Sequence, residues 1–303
     1  MALARWYASI RTNDPAVARR AATRGRLARL CQYAMLTVVA GILLLPALWL
    51  VLSSLKPPSE AMVFPPELLP RAISWSNYPD ALTAQPFLVF VRNTLLVVLL
   101  NLVGVLLTAS MAGYAFARLR FRGRTALFAL CLSTMMLPYV VTLIPTFVMF
   151  RVLGWVNTFW PLTVPSFFGG GAFNIFLFRQ FFLTLPYELD EAARMDGASS
   201  LQIWWRIVLP LSQPVLATVA VFNIVYHWND FLYPLIFLDT RDHFTLALGL
   251  TAYQMLMGNV GLVQQWTYLM AASTTMIVPI LILFFFAQRY FMRGIALTGF
   301  AGR

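Results

Sequence analysis

Apolar residues in this chain fall in long blocks and not in the short alternation of strands. A helix that crosses a bilayer needs about 20 predominantly apolar residues. Six stretches reach that length: 32–55, 87–116, 126–150, 159–183, 211–238 and 266–290. Each is predicted as a helix, whose backbone groups are satisfied internally inside lipid. Prolines predict where these helices deviate. Pro46 predicts a kink in the first, Pro138 and Pro145 interrupt the third, and Pro279 lies inside the sixth. Pro161, Pro165 and the run Gly169-Gly170-Gly171 sit near the start of the fourth. The second is long enough to tilt or to project from the bilayer. The pattern predicts an all-α membrane protein with six transmembrane helices. No internal repeat and no Pro- or Ser-rich linker divides it. Residues 31–303 therefore read as one membrane domain behind an N-terminal arm, 1–30.

Composition agrees with the pattern. Hydrophobic residues make up 60% and charged residues 11%, against about a quarter charged in soluble domains. The net charge of +11 comes mostly from arginines beside the spans, so it carries topology and not a nucleic-acid footprint. Arg5, Arg11, Arg19, Arg20, Arg24, Arg26 and Arg29 lie in the arm. Arg118, Arg120, Arg122 and Arg124 lie in the second connection, and Arg289, Arg293 and Arg303 near the C-terminus. The first, third and fifth connections are poor in arginine. Both termini, the second connection and the fourth are thus expected in the cytoplasm, with membrane lipid as the surroundings. The fourth connection is itself acidic, and its side follows from counting spans. The arm is Arg-rich, but the apolar run behind it is span-length and ends without a small-residue cleavage site, unlike a signal peptide. Cys31 and Cys131 lie in or beside apolar runs and predict neither a disulfide nor a metal cluster.

The fourth connection is more patterned than a connector needs to be. Pro186 suits a first helical turn, and Glu188, Asp190 and Glu191 follow where the helix dipole favours carboxylates. Leu189, Ala192, Ala193 and Asp196 recur at helical spacing, which puts Leu189 and the two alanines on one face open to close approach. Gly197 is a plausible stop. Ser199 and Gln202 form a capping box for a second short helix, which Pro210 ends or bends. An amphipathic helix lying at the membrane interface would share this pattern.

The spacing is more specific than the amphipathicity. Glu191-Ala192-Ala193, three residues, Gly197, nine residues, then Ile207, Leu209 and Pro210 resembles the EAA signature of the transmembrane subunits of bacterial ABC importers. The fifth apolar run carries Tyr226, His227, Trp228, Asn229, Asp230, Phe231, Tyr233 and Pro234. Its pattern of Trp228, Asn229, Phe231 and Pro234 is similar to a stretch of the carbohydrate-import branch, comparable to the smaller permease of maltose-type transporters. Ile144-Pro145, Phe178 to Phe182, Leu185 to Leu189, Gln288 and Gly294 extend the likeness from the second helix to the C-terminus. The tail ends on Arg303 where that family often has a lysine, a departure that bears on any tail contact.

The resemblance implies a type I importer permease fold in a bacterial or archaeal plasma (inner) membrane. It implies that Glu191, Ala192, Ala193, Asp196, Gly197, Ile207, Leu209 and Pro210 couple the chain to an ATPase. The implied partners are a second homologous permease, two ATPase subunits and an extracytoplasmic solute-binding protein; no nucleic acid is implied. The chain has no Gly-x-x-x-x-Gly-Lys-Ser/Thr, and Lys56 is its only lysine. No cofactor of its own is therefore expected: ATP and Mg belong to the partner ATPase, and the chain is not an enzyme.

Ionisable and polar groups inside a span mark pathways or buried pairs, and aromatic rings with polar edges suit stacking on sugars. Tyr226, Trp228, Asn229, Asp230 and Tyr233 are the candidates for the solute pathway. Aromatics at the outer interface, with Asp230 capping a kink at Pro234, would give the same pattern. Arg92, Asn93, Asn101, Asn174, Arg179 and Asn223 read as interhelical hydrogen-bond partners or snorkelling groups. Gly169 to Gly171 read as close helix packing, a loose helix start or a flexible gate. His227 and His243 lack a metal site's spacing. In the fifth connection Tyr253, Gln254, Gly258 and Asn259 offer hydrogen-bonding groups and turns. The resemblance implies that they contact the binding protein. The expected function is import of a sugar, polyol or sugar phosphate. An importer of a non-sugar solute, a channel, or an intramembrane enzyme using His227 and Asp230 are the alternatives; neither of the last two explains the EAA spacing.

Overall fold

The computed structural model describes residues 15–254 and 262–299, and every regular element among them is helical. In chain order these are α1 (Pro15–Ser54), α2 (Pro58–Ala61), α3 (Asn77–Ala84), α4 (Phe87–Arg118), α5 (Arg124–Ser133) and α6 (Tyr139–Val152). There follow α7 (Trp160–Thr163), α8 (Ala172–Thr184), α9 (Glu188–Met195), α10 (Ser200–Ile203) and α11 (Leu209–Leu211). The last are α12 (Gln213–Trp228), α13 (Leu232–Phe237), α14 (Leu246–Gln254) and α15 (Leu262–Gly299). All six apolar runs are helical. Among the described residues, four helical segments are long and apolar enough to cross a membrane, or up to six if each of two bent pairs counts as one span.

The prolines do not act alike. Pro46, Pro145 and Pro279 lie inside continuous helices. Pro138 breaks the third run into α5 and α6, which meet at 98°. Leu137 before it is extended, at ψ 118°, as the clash with a following proline ring requires. A second bend of 82° separates the α10–α11 segment from α12. The fourth run begins as α7 and a 3-10 turn, Val164–Phe168, before α8. Between them, a Cβ on Gly170 would stand 2.3 Å from Val105 Cγ2. Glycine there lets the turn pack directly on α4, the packing alternative raised by the sequence. The fifth run breaks between Trp228 and Leu232, and α1 reaches back to Pro15, into the predicted arm.

α4 is the spine of the fold. One core cluster packs Val105, Ala109, Tyr114 and Ala117 of α4 against Ile175, Phe178 and Phe182 of α8 and Ala193 of α9. A second joins Phe87, Phe90 and Val98 to Trp228 of α12, Tyr253 of α14 and Ala271, Ala272 and Met276 of α15. Buried polar groups tie backbones that lack helical partners. Asn101 Nδ2 donates to Leu162 O (2.9 Å), and Asn93 Nδ2 donates to Asp242 O (2.7 Å) and Phe244 O (3.0 Å). Asn77 Nδ2 reaches Ser54 O and Lys56 O, both at 2.8 Å, at the C-terminal end of α1, where helix carbonyls need outside donors. By contrast, no residue in the most apolar stretch of α1 is buried. That surface suits lipid, which solvates apolar side chains.

Candidate coupling surface and solute cavity

The polar connection folds as a short amphipathic helix closed at its C-terminal end, followed by a second helix capped at its start. α9 starts at Glu188, so Pro186 lies just outside it. At the far end Gly197 sits at φ +81°, a left-handed conformation that costs glycine nothing. Its N–H donates to Arg194 O (3.0 Å), and the N–H of Ala198 donates to Ala193 O (2.9 Å). This pair of bonds is a Schellman stop. The next helix opens with the expected capping box: Ser199 N–H donates to Gln202 Oε1 (2.8 Å), and Gln202 N–H to Ser199 Oγ (3.3 Å).

Which face turns outward differs from the reading of the pattern. Ala193 and Asp190 are buried, whereas Leu189, Glu191, Ala192, Met195 and Asp196 are exposed. Ala193 therefore belongs to the inner stripe, packed in the core beneath α9. Asp190, one turn before it, is 1% exposed and does not act as a solvated first-turn carboxylate. It faces Arg118, itself 4% exposed, with Arg118 Nη1 3.4 Å from Asp190 Oδ2. Tyr114 Oη donates to Asp190 Oδ1 (3.2 Å). Arg118 Nη2 also donates to Phe182 O and Leu185 O, both at 2.6 Å, and the guanidinium lies 5.6 Å from the Tyr187 ring centroid. One arginine thus joins the end of α4, the end of α8 and the start of α9. The sequence signalled Arg118 only as a topology charge.

Beyond α10 the chain makes a π turn, Trp204–Val208, in which the Leu209 N–H donates to Trp204 O. Such a turn inserts a residue into the helix and shifts its face. Ile207 and Leu209 are partly buried against the same core as Ala193. Pro210 is exposed at the start of α11, and the helix runs through it before breaking at Ser212. Glu191, Ala192, Asp196, Gly197 and Pro210 are exposed; Ala193, Ile207 and Leu209 support them from within.

A cavity of about 510 Å³ opens between α4, α8, α12 and the turn after α7. Tyr226, Asp230 and Tyr233 line it, as do His227, Asn174 and Asn223. Trp228 does not: it points the opposite way from Tyr226, is buried, and its Nε1 donates to Met276 O (3.1 Å). Asn229 is exposed outside the cavity and caps α12 by donating to Val225 O (2.8 Å). Two of the five pathway candidates are therefore structural. Asp230 combines both readings, since its Oδ1 also accepts from the Tyr233 N–H (3.3 Å). Asn174 and Asn223, foreseen as helix glue, are wall groups here; Asn174 donates to Gly170 O (2.6 Å).

The outer-loop group divides as well. Tyr253 is completely buried, its hydroxyl donating to Ala81 O (2.9 Å). Placed there, it is core and does not face a docking protein. Gln254 ends α14, while Gly258 and Asn259 lie outside the described residues.

Residues 104–297 match the family of binding-protein-dependent transport system inner membrane components. The arabinooligosaccharides transport system permease protein AraQ of Halalkalibacterium halodurans is 36% identical over 87% of this chain and 93% of its own. The sn-glycerol-3-phosphate transport system permease protein UgpE of Yersinia pestis bv. Antiqua is 32% identical over 78% of this chain and 85% of its own. Among solved structures, a bacterial ABC transporter involved in the import of the acidic polysaccharide alginate superposes with a TM-score of 0.76. That match has 27% identity and covers 88% of this chain and 97% of that one. A helical bundle with up to six spans, a cavity within it and this match over most of its length place the chain in the family of binding-protein-dependent transport system inner membrane components, as a multi-pass permease of the ABC importers.

Proposed function

We propose that this chain is one of two homologous permeases in an importer for a sugar or related compound, a polyol or sugar phosphate, driven by two separate ATPase subunits and fed by an extracytoplasmic binding protein. The relatives' named solutes, arabinooligosaccharides and sn-glycerol-3-phosphate among them, support the solute class. The observation that carries the mechanism is α9: a helix with an exposed polar face, stopped at Gly197, and anchored through Asp190 to α4 and α8. Closure of the ATPases pushes on Glu191, Ala192 and Asp196. Arg118 passes that push into the two helices that flank the cavity. The bundle then alternates between outward and inward access. ATP and Mg stay on the partner subunits, and this chain moves solute without chemistry.

The test is reconstitution. The isolated chain should hydrolyse no ATP, and both hydrolysis and uptake of labelled sugar should require ATPase, second permease and binding protein together. Hydrolysis by the isolated chain, surviving removal of contaminants, would contradict the assignment. The proposed orientation puts both termini and α9 in the cytoplasm. Reporter fusions after Arg124 and Arg206 should report cytoplasm, and one after Asp80 the outside. An outside signal after Arg206 would overturn the ATPase contact.

A further inference from the structure

Among the described residues, the cavity wall carries hydrogen-bond acceptors, a carboxylate included, and no lysine or arginine. Asn223 is 7% exposed, lines the cavity, and its Oδ1 has no hydrogen-bond partner among the described residues. A buried acceptor left unpaired is costly, so a donor from a solute gains more there than in water. Asp230 adds a carboxylate whose Oδ1 is held by the Tyr233 N–H. Among the described residues, no lysine or arginine lines the space, and the basic group on its wall is the imidazole of His227. The tyrosine hydroxyls of Tyr226 and Tyr233 both donate and accept. Sugar hydroxyls both donate and accept, so they can donate to the Asp230 carboxylate and Asn223 Oδ1 and still pair with the tyrosine hydroxyls. A phosphate or carboxylate offers only acceptors, and would meet Asp230 and Asn223 with no guanidinium or ammonium to offset them.

We propose that this cavity admits polyhydroxylated solutes without anionic groups and disfavours phosphorylated or acidic sugars, with Asp230 setting the charge preference. The inference rests on the reading of the chain as a sugar permease and narrows its solute class. It separates this chain from the relative named for sn-glycerol-3-phosphate and from the alginate importer.

The experiment reads the cavity's charge preference directly, so it does not depend on transport. In the assembled, detergent-solubilised transporter, Cys31 and Cys131 are replaced by serine and alanine. A reporter thiol is introduced as Phe173→Cys on the cavity wall. Its labelling rates with trimethylammonioethyl and sulfonatoethyl methanethiosulfonate are compared, each normalised to its rate with free β-mercaptoethanol. The pH is kept at about 8, where an imidazole is uncharged. A wall of one charge sign favours the opposite ion by about tenfold or more, so the cationic reagent should lead by that factor. The lead should vanish in Asp230→Asn and persist in Asp230→Glu. Equal rates, a faster anionic reagent, no labelling by either, or a lead unchanged in Asp230→Asn would each overturn the proposal. The parent ratio is decisive even if a variant does not assemble. Loss of sugar uptake with the labelling preference intact would count against the permease reading and not against this one.

Discussion

Replacing Arg118 by alanine is expected to destabilise the subunit by roughly 3–5 kcal/mol, the range for removing one partner of a buried ion pair. The pair is almost entirely shielded from solvent, with Arg118 4% and Asp190 1% exposed. Arg118→Ala would leave the Asp190 carboxylate buried with only the Tyr114 hydroxyl to satisfy it. It would also strip the donors from Phe182 O and Leu185 O at the end of α8. An apolar replacement of both partners, Arg118→Met with Asp190→Leu, should cost far less, because no charge then remains buried. The readout is the thermal midpoint of the detergent-solubilised protein across the four members of the cycle. Equal losses in the single and double variants would show that the pair contributes packing alone. The double variant carries a second expectation. It should fold yet lose sugar uptake, since apolar contacts can slide where a three-way hydrogen-bonded arginine cannot. Full uptake in that variant would remove Arg118 from the coupling route while leaving α9 as the contact.

The second large effect is on transport and leaves folding nearly untouched. Gly197→Pro should reduce uptake to background while the protein still inserts. Proline fixes φ near −65° and has no N–H, whereas Gly197 sits at φ +81° and its N–H donates to Arg194 O. The stop of α9 is lost and its outer face is re-aimed. Gly197→Ala separates strain from geometry. The space around that position is open, so alanine meets only the left-handed backbone cost of about 1–2 kcal/mol and should retain part of the uptake. Glu191→Lys tests the surface alone. Its side chain is exposed, so reversing its charge should spare stability and weaken the hold on the ATPase. Co-purification of the ATPase, read beside uptake, distinguishes a lost contact from a lost transmission. Normal uptake in both Gly197→Pro and Glu191→Lys would sink the coupling role of this helix.

Much of this protein is written in local sequence. Lipid demands length and hydrophobicity of each helix separately, so the six apolar runs were visible without any partner. The ends of α9 and α10 were visible for a similar reason. A Schellman stop and a capping box close through hydrogen bonds between residues a few positions apart, and Gly197, Ser199 and Gln202 carry all the chemistry they need. The cavity was visible in part, through Tyr226, Asp230 and Tyr233.

What sequence left open is what depends on a distant neighbour. Pro138 breaks a helix and Pro145 does not, although both sit in one apolar run. Trp228 and Tyr226 lie two positions apart and therefore face nearly opposite sides of α12, one into the core and one into the cavity. Tyr253 looked like a loop donor until the packing of α3, α4 and α15 enclosed it. Asp190 looked like any acidic residue in a first helical turn. Only the approach of α4 puts Arg118 beside it and turns a solvated charge into a buried anchor. Hydrophobic length and capping are decided within a few residues of chain, so sequence determined the apolar runs, their helical state, the stop of α9 at Gly197 and the start of α10. Burial, pairing and the facing of each side chain are decided by which helices meet, and those the tertiary structure alone settled.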